Sequence, residues 1–112
     1  SGWSSIEVVQ PLPKKPDIST PIDVSQPGKA TFTWNNNNGV DTFNIYRVLT
    51  STSSNPEVDG TLIATVSGSV TTYTDSGYPA YNVSYTYAVI GNNASGSSQV
   101  SNKPTAIPVD PA

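Results

Sequence analysis

Residues 30–34 read Ala-Thr-Phe-Thr-Trp, apolar and polar side chains in strict alternation. A period of two places Ala30, Phe32 and Trp34 on one face of an extended strand, with Thr31 and Thr33 on the other. No helix presents that pattern to a core. The same period recurs along the chain. Phe43 and Ile45 alternate with Asn44 and Tyr46, and Leu62, Ala64 and Val66 share a face. Tyr73 lies in the short run TTYTD, and Tyr85, Tyr87 and Val89 share a face of SYTYAVI. A last strand is expected around Val100. A first strand carries Ile18, Ile22 and Val24, interrupted by Pro21, which an edge strand tolerates. Between these runs stand turn-forming groups: QPGK at 26–29, the asparagine run 35–38 closed by Gly39, EVDG at 57–60 and NNASG at 92–96. EVDG is expected to be a hairpin turn, with Asp-Gly supplying positive φ. No stretch has helical periodicity. Short strands at roughly 8–12-residue spacing imply an all-β fold, a seven-stranded antiparallel β-sandwich.

Composition narrows the chemistry. A chain of 112 residues favours one domain. It contains no His and no Cys, so the usual nucleophilic triads, zinc sites and disulfides are ruled out. Asp41, Glu57, Asp59 and Asp75 are available acids, but each falls in a turn or at a strand end. Asp residues in turns ordinarily bond their own backbone there rather than form a catalytic pair. The run NNNNGVD offers a single carboxylate, too few for an ordinary calcium loop. No catalytic residue, metal or cofactor is assigned. Five Lys plus Arg against eight Asp plus Glu leave no basic stripe for nucleic acid. No apolar run approaches the roughly 18 residues of a membrane span. The chain opens on Ser-Gly without an initiator Met or an apolar leader, which suggests an excised fragment.

Proline divides the ends from the middle. Residues 1–15 read as an N-terminal extension and Pro/Lys linker, and 105–112 as a proline-rich linker. Residues 16–104 form the sandwich between them. This is the pattern of one bead in a string of domains.

The pieces together resemble the fibronectin type III domain in its bacterial form, over about residues 16–104. Trp34 ends the second strand, where that family keeps a core tryptophan, and FNIYR resembles its third strand. TLIATVSGSVTTYTDSG is similar to the bacterial variant, and SYTYAVIGNNASGSSQVSN resembles the last two strands. The resemblance implies structural roles for Trp34, Tyr73 and Tyr85, the last as a tyrosine corner whose hydroxyl bonds upstream backbone. GYPAYNVSY departs from the pattern: Tyr78 stands, with one extra residue, where the family usually has leucine. There is no Arg-Gly-Asp in the 91–97 turn, so integrin binding is not implied.

Partner contacts are expected, if anywhere, at the loops. The topology implied by the resemblance places Asn35, Asn36, Asn37 and Asn38 beside Asn92 and Asn93 at one end. Tyr78 and Tyr81 flank the 76–83 loop at the other. The sequons at Asn82 and Asn93 are read as chance matches in an Asn/Ser-rich chain. The function expected is a non-catalytic spacer or accessory module of a larger secreted or surface protein of bacterial type, monomeric in isolation and contacting adjacent domains. Alternatives are a module of a phage virion, or a carbohydrate-binding module gripping polysaccharide or a surface glycan with its end loops.

Overall fold

A computed structural model describes residues 11–35 and 39–111. Asn36, Asn37, Asn38 and the segment 1–10 lie outside the described residues. The elements are β1 (Ala30–Thr33), β2 (Thr42–Leu49), a helical turn α1 (Pro56–Asp59), β3 (Thr61–Ser67), β4 (Thr72–Asp75), β5 (Tyr85–Asn93), β6 (Gly96–Ser97) and β7 (Thr105–Ala106). They form two antiparallel sheets. β1 pairs with β4, and the expected first strand joins β1 through bridges at Ile18–Trp34 and Asp23–Thr31, on either side of the cis Thr20–Pro21 bond. The second sheet has the order β3-β2-β5, with β6 and β7 pairing successive parts of β5. The all-β sandwich is therefore the architecture observed.

The period-two reading of the core holds in most strands. Phe32, Trp34, Phe43, Ile45, Tyr85, Tyr87 and Val89 form one buried cluster between the sheets, with Tyr73 packed against it. Phe32 lies 5.0 Å from Tyr87 and Trp34 lies 5.4 Å from Phe43 between ring centroids, within the range of favourable aromatic pairs.

Four expectations are corrected. First, EVDG is not a hairpin turn. Pro56 opens the helical turn α1 with its preset φ, and Gly60 closes it at φ −101°, not in the positive range. Glycine is required there for space: a Cβ would sit 2.4 Å from the Arg47 carbonyl oxygen. Second, Leu62 does not share the inward face of Ala64 and Val66. The register shifts between Ile45 and Tyr46, so Leu62 opposes Tyr46 and is half exposed. A bulge adds one residue and reverses parity beyond it, and Ile63 packs inward instead. Third, the last strand is not a continuous run around Val100. β6 and β7 are separated by a stretch in which side chains share the ladder with backbone: Ser98 Oγ accepts the Gly91 N–H at 2.9 Å and Ser101 Oγ that of Val89 at 2.8 Å, while the Ser98 and Ser101 N–H groups donate to the carbonyls of Gly91 and Val89. Fourth, residues 105–111 do not leave the sandwich as a linker. β7 pairs with Tyr85 and Thr86, Pro108 is fully buried, and the carbonyls of Pro108 and Val109 accept the N–H groups of Asn82 and Gly28. Pro13 is likewise buried, so part of the expected N-terminal linker also lies on the sandwich.

Candidate functional site

The loop end that carries Asn35, residues 39–41 and residues 92–96 is the first candidate. The Asp41 N–H donates to the Asn92 carbonyl at 2.8 Å, which closes β2 against β5 at its last turn. The Asn93 amide then reaches out of the turn. Its Nδ2 donates to the carbonyls of Gly39 at 2.9 Å and Pro11 at 2.8 Å, while Oδ1 accepts the Ser95 N–H. Gly96, at φ +138°, completes the hairpin with a geometry that favours glycine. Asn35 turns back in the same way, its Oδ1 accepting the Asp17 N–H at 2.6 Å. Asn92 Oδ1 accepts the Ser97 hydroxyl at 2.7 Å. The two turns are thus neighbours, but the Asn35 and Asn93 amides are engaged in fastening backbone and that of Asn92 holds the Ser97 hydroxyl. Both hydrogens of the Asn93 amide are committed, which leaves a ligand little to exchange without first opening the loops.

Tyr78 and Tyr81 lie at the opposite end. Tyr78 is not a surface contact: it is 8% exposed, packs 5.0 Å from Tyr85 and 6.1 Å from Tyr81, and shares a hydrogen bond with the Tyr87 hydroxyl. A ring with a polar tip occupies the leucine slot because a partner for that tip lies inside the fold. Tyr81 is half-buried beside it. Tyr85 makes the tyrosine corner: its hydroxyl donates to the Ala80 carbonyl at 3.0 Å and accepts the Ala80 N–H at 3.2 Å.

The polar centre of the molecule is one that parity alone could have exposed. Arg47 has the parity of Phe43 and Ile45, and Asp75 that of Tyr73, so both point between the sheets. A charge on that face requires a partner. Arg47 Nη1 donates to Asp75 Oδ2 at 2.7 Å, and the Tyr87 hydroxyl donates to the same oxygen at 2.8 Å. The Asp75 side chain is 4% exposed and that of Arg47 13%. The guanidinium also lies 5.1 Å and 5.3 Å from the Tyr78 and Tyr85 ring centroids, a cation–π contact on two rings. Burial opposes the Arg47 charge, but the hydrogen bond and attraction of Asp75 outweigh it and hold its pKa above the ordinary value. Burial pushes the Tyr87 and Tyr78 hydroxyls well above theirs, with Asp75 adding to the effect on both. One carboxylate therefore joins β4 of the smaller sheet to β2 and β5 of the larger.

Beside this centre a shallow recess of about 320 Å³ is lined by Leu49, Pro79, Ala80, Val83 and Tyr85, with Arg47 and Asp59 at its rim. Asp59 is its one lining carboxylate, and Oδ2 already accepts the Ser53 hydroxyl at 2.6 Å. The lining does not supply the facing acid pair that glycoside hydrolysis uses.

No family model matches the chain, and no curated protein does. Among solved structures it is similar to a Fn3-like protein from Clostridium thermocellum: 26% identity, TM-score 0.59, covering 86% of this chain and 90% of that one. It is also similar to the FN1–FN3 domains of chicken CNTN1, at 17% identity and TM-score 0.66 over 91% of this chain and 32% of that one. A third match is a β-1,2-glucanase from Parabacteroides distasonis, at 14% identity and TM-score 0.69 over 87% of this chain. The chain spans 13% of that enzyme's length. The sandwich is a fibronectin type III fold.

Proposed function

We propose that this fibronectin type III fold serves as a non-catalytic, in-line structural module of a larger extracellular protein of bacterial type, holding its neighbours at a fixed separation. The observation that carries this reading is where the two ends of the described chain are fastened. Pro11 is held by Asn93 at the end of β5, whereas Pro108 is held by Asn82 just before β5 begins. Nine residues of extended strand separate those points, roughly 30 Å. The described parts of both proline-rich ends lie on the sandwich instead of hanging from it, which favours a stiff connection over a flexible one. The likeness to a segment of a glucanase and to one of several domains in CNTN1 agrees with a modular role. The partners proposed are the adjacent domains of the same polypeptide.

The test is to insert the full chain between two compact reporter domains and record small-angle scattering. A rigid spacer gives one narrow inter-domain separation. A distribution as broad as that of a Gly/Ser linker of equal length would reject the reading.

A further inference from the structure

We propose that Lys103 and Asn55 are a self-crosslinking pair, condensing into an isopeptide bond with Glu57 as the proton carrier. Lys103 Nζ lies 2.7 Å from Asn55 Oδ1 and 2.9 Å from Glu57 Oε2. The other Glu57 oxygen, Oε1, is buried and has no hydrogen-bond partner among the described residues. An orphaned carboxylate oxygen beside an amine and an amide is costly as mere structure. The other oxygen, Oε2, faces the amine and is well placed as a base.

The backbone on both sides holds the three groups in register. The Asn55 carbonyl accepts the N–H groups of Val58 and Asp59, its own N–H donates to Ser53 Oγ at 2.9 Å, and the neighbouring Pro56 is fully buried. Lys103 is fixed between Asn102, whose side chain makes bonds of 2.7 Å and 2.9 Å to the Ile18 backbone, and Pro104, whose carbonyl accepts the Tyr87 N–H. Groups held at near-contact distance react as though at very high concentration, so even a slow amide exchange goes forward.

The chemistry balances without an oxidant or co-reactant. Glu57 takes a proton from the Lys103 ammonium. The amine lone pair adds to Asn55 Cγ, forming the new C–N bond. The carboxyl group passes that proton to Nδ2 and takes a second one from the Lys103 nitrogen, the Cγ–Nδ2 bond breaks, and ammonia departs, leaving as ammonium with the second proton. The product is a secondary amide between the segment leading into α1 and the stretch that follows β6. In a chain without cysteine it supplies the covalent staple that a disulfide cannot.

Intact mass spectrometry of the purified full chain, before and after prolonged incubation at neutral pH and at about pH 10, where a free lysine amine is partly neutral, tests the proposal. The expected mass is lower by one ammonia, with a proteolytic fragment in which Asn55 and Lys103 are joined. Lys103→Arg and Glu57→Gln are expected to keep the full mass. Circular dichroism of each variant before incubation confirms that it is folded, so a retained mass reports the missing group and not lost proximity. Full mass in the wild type at every time and pH overturns the proposal and leaves a salt bridge only. So does an ammonia loss that persists in Lys103→Arg, which would mark succinimide formation at Asn38-Gly39.

Discussion

Asp75→Asn tests the polar centre most sharply. The substitution keeps the side chain's shape but removes the charge that Arg47 and the Tyr87 hydroxyl share. Hydrogen bonds to an ionised group contribute about 1.5–3 kcal/mol each, and Asp75 Oδ2 accepts two, from Arg47 and from Tyr87. The amide oxygen can still accept one of them, weakly. What it cannot do is offset a guanidinium whose side chain is 13% exposed. Breaking a buried pair from one side costs about 3–5 kcal/mol, because the remaining charge is stranded. Asp75→Asn is therefore expected to lower unfolding stability by about that much, read from urea denaturation followed by tryptophan fluorescence and circular dichroism. Arg47→Met should cost a similar amount. The double variant should cost clearly less than the two losses combined, because it strands no charge. A loss under about 1 kcal/mol for Asp75→Asn, or strict additivity within about 0.5 kcal/mol, would refute the view that the pair acts as one unit.

Other expectations follow from the same geometry. Because the Tyr78 and Tyr87 pKa values are raised by folding, the folded state keeps protons that the unfolded state has released above pH 10. Stability is then level below about pH 10 and falls above it, by up to about 1.4 kcal/mol per pH unit for each tyrosine. Denaturation midpoints between pH 9 and 12 check this, and Tyr87→Phe should shallow the fall. Gly60→Ala should cost about 3 kcal/mol, at the upper end of overpacking, since its Cβ would meet the Arg47 and Pro56 carbonyls at 2.4 and 2.7 Å. A thermal melt unchanged from wild type would contradict that reading. A chain ending at residue 104 loses β7 and the buried Pro108, and should be less stable by about 2–4 kcal/mol from lost apolar burial alone; equal stability would restore the tail to linker status. Trp34→Ala should cost about 3–5 kcal/mol as a large core truncation.

Much of this fold was legible because sheet parity is a local rule. Phe32, Trp34, Phe43, Ile45, Tyr85, Tyr87 and Val89 could be placed inward from spacing alone, and all are buried. The rule fails where the backbone inserts a residue: the bulge opposite Ile45 and Tyr46 turns Leu62 outward, and nothing in TLIATV announces it. It also fails where polar side chains share the ladder, as Ser98 and Ser101 do along β5. The tail was misread because proline richness marks a linker only when the prolines lack a surface to bury against, and Pro108 has one. At the candidate sites, the meeting of Gly39 and Asp41 with Asn92 and Asn93 was foreseeable from topology. That the Asn35 and Asn93 amides fasten backbone was not, because hydrogen-bond commitments depend on distances a sequence does not carry. The Arg47–Asp75 pair was visible in principle, since a charge at inward parity needs a counter-charge.

The central claim is that both ends of the described chain are fastened to opposite ends of one rigid sandwich. The absence of cysteine makes it directly testable, because two introduced thiols can be labelled without competition. Leu12 and Val109 are both well exposed and mark the two ends. Spin labels on Leu12→Cys and Val109→Cys, read by pulsed dipolar spectroscopy, should give a single narrow distance of roughly 30 Å or more, the length of a nine-residue strand. A broad distribution, or one centred well below that length, would contradict the account.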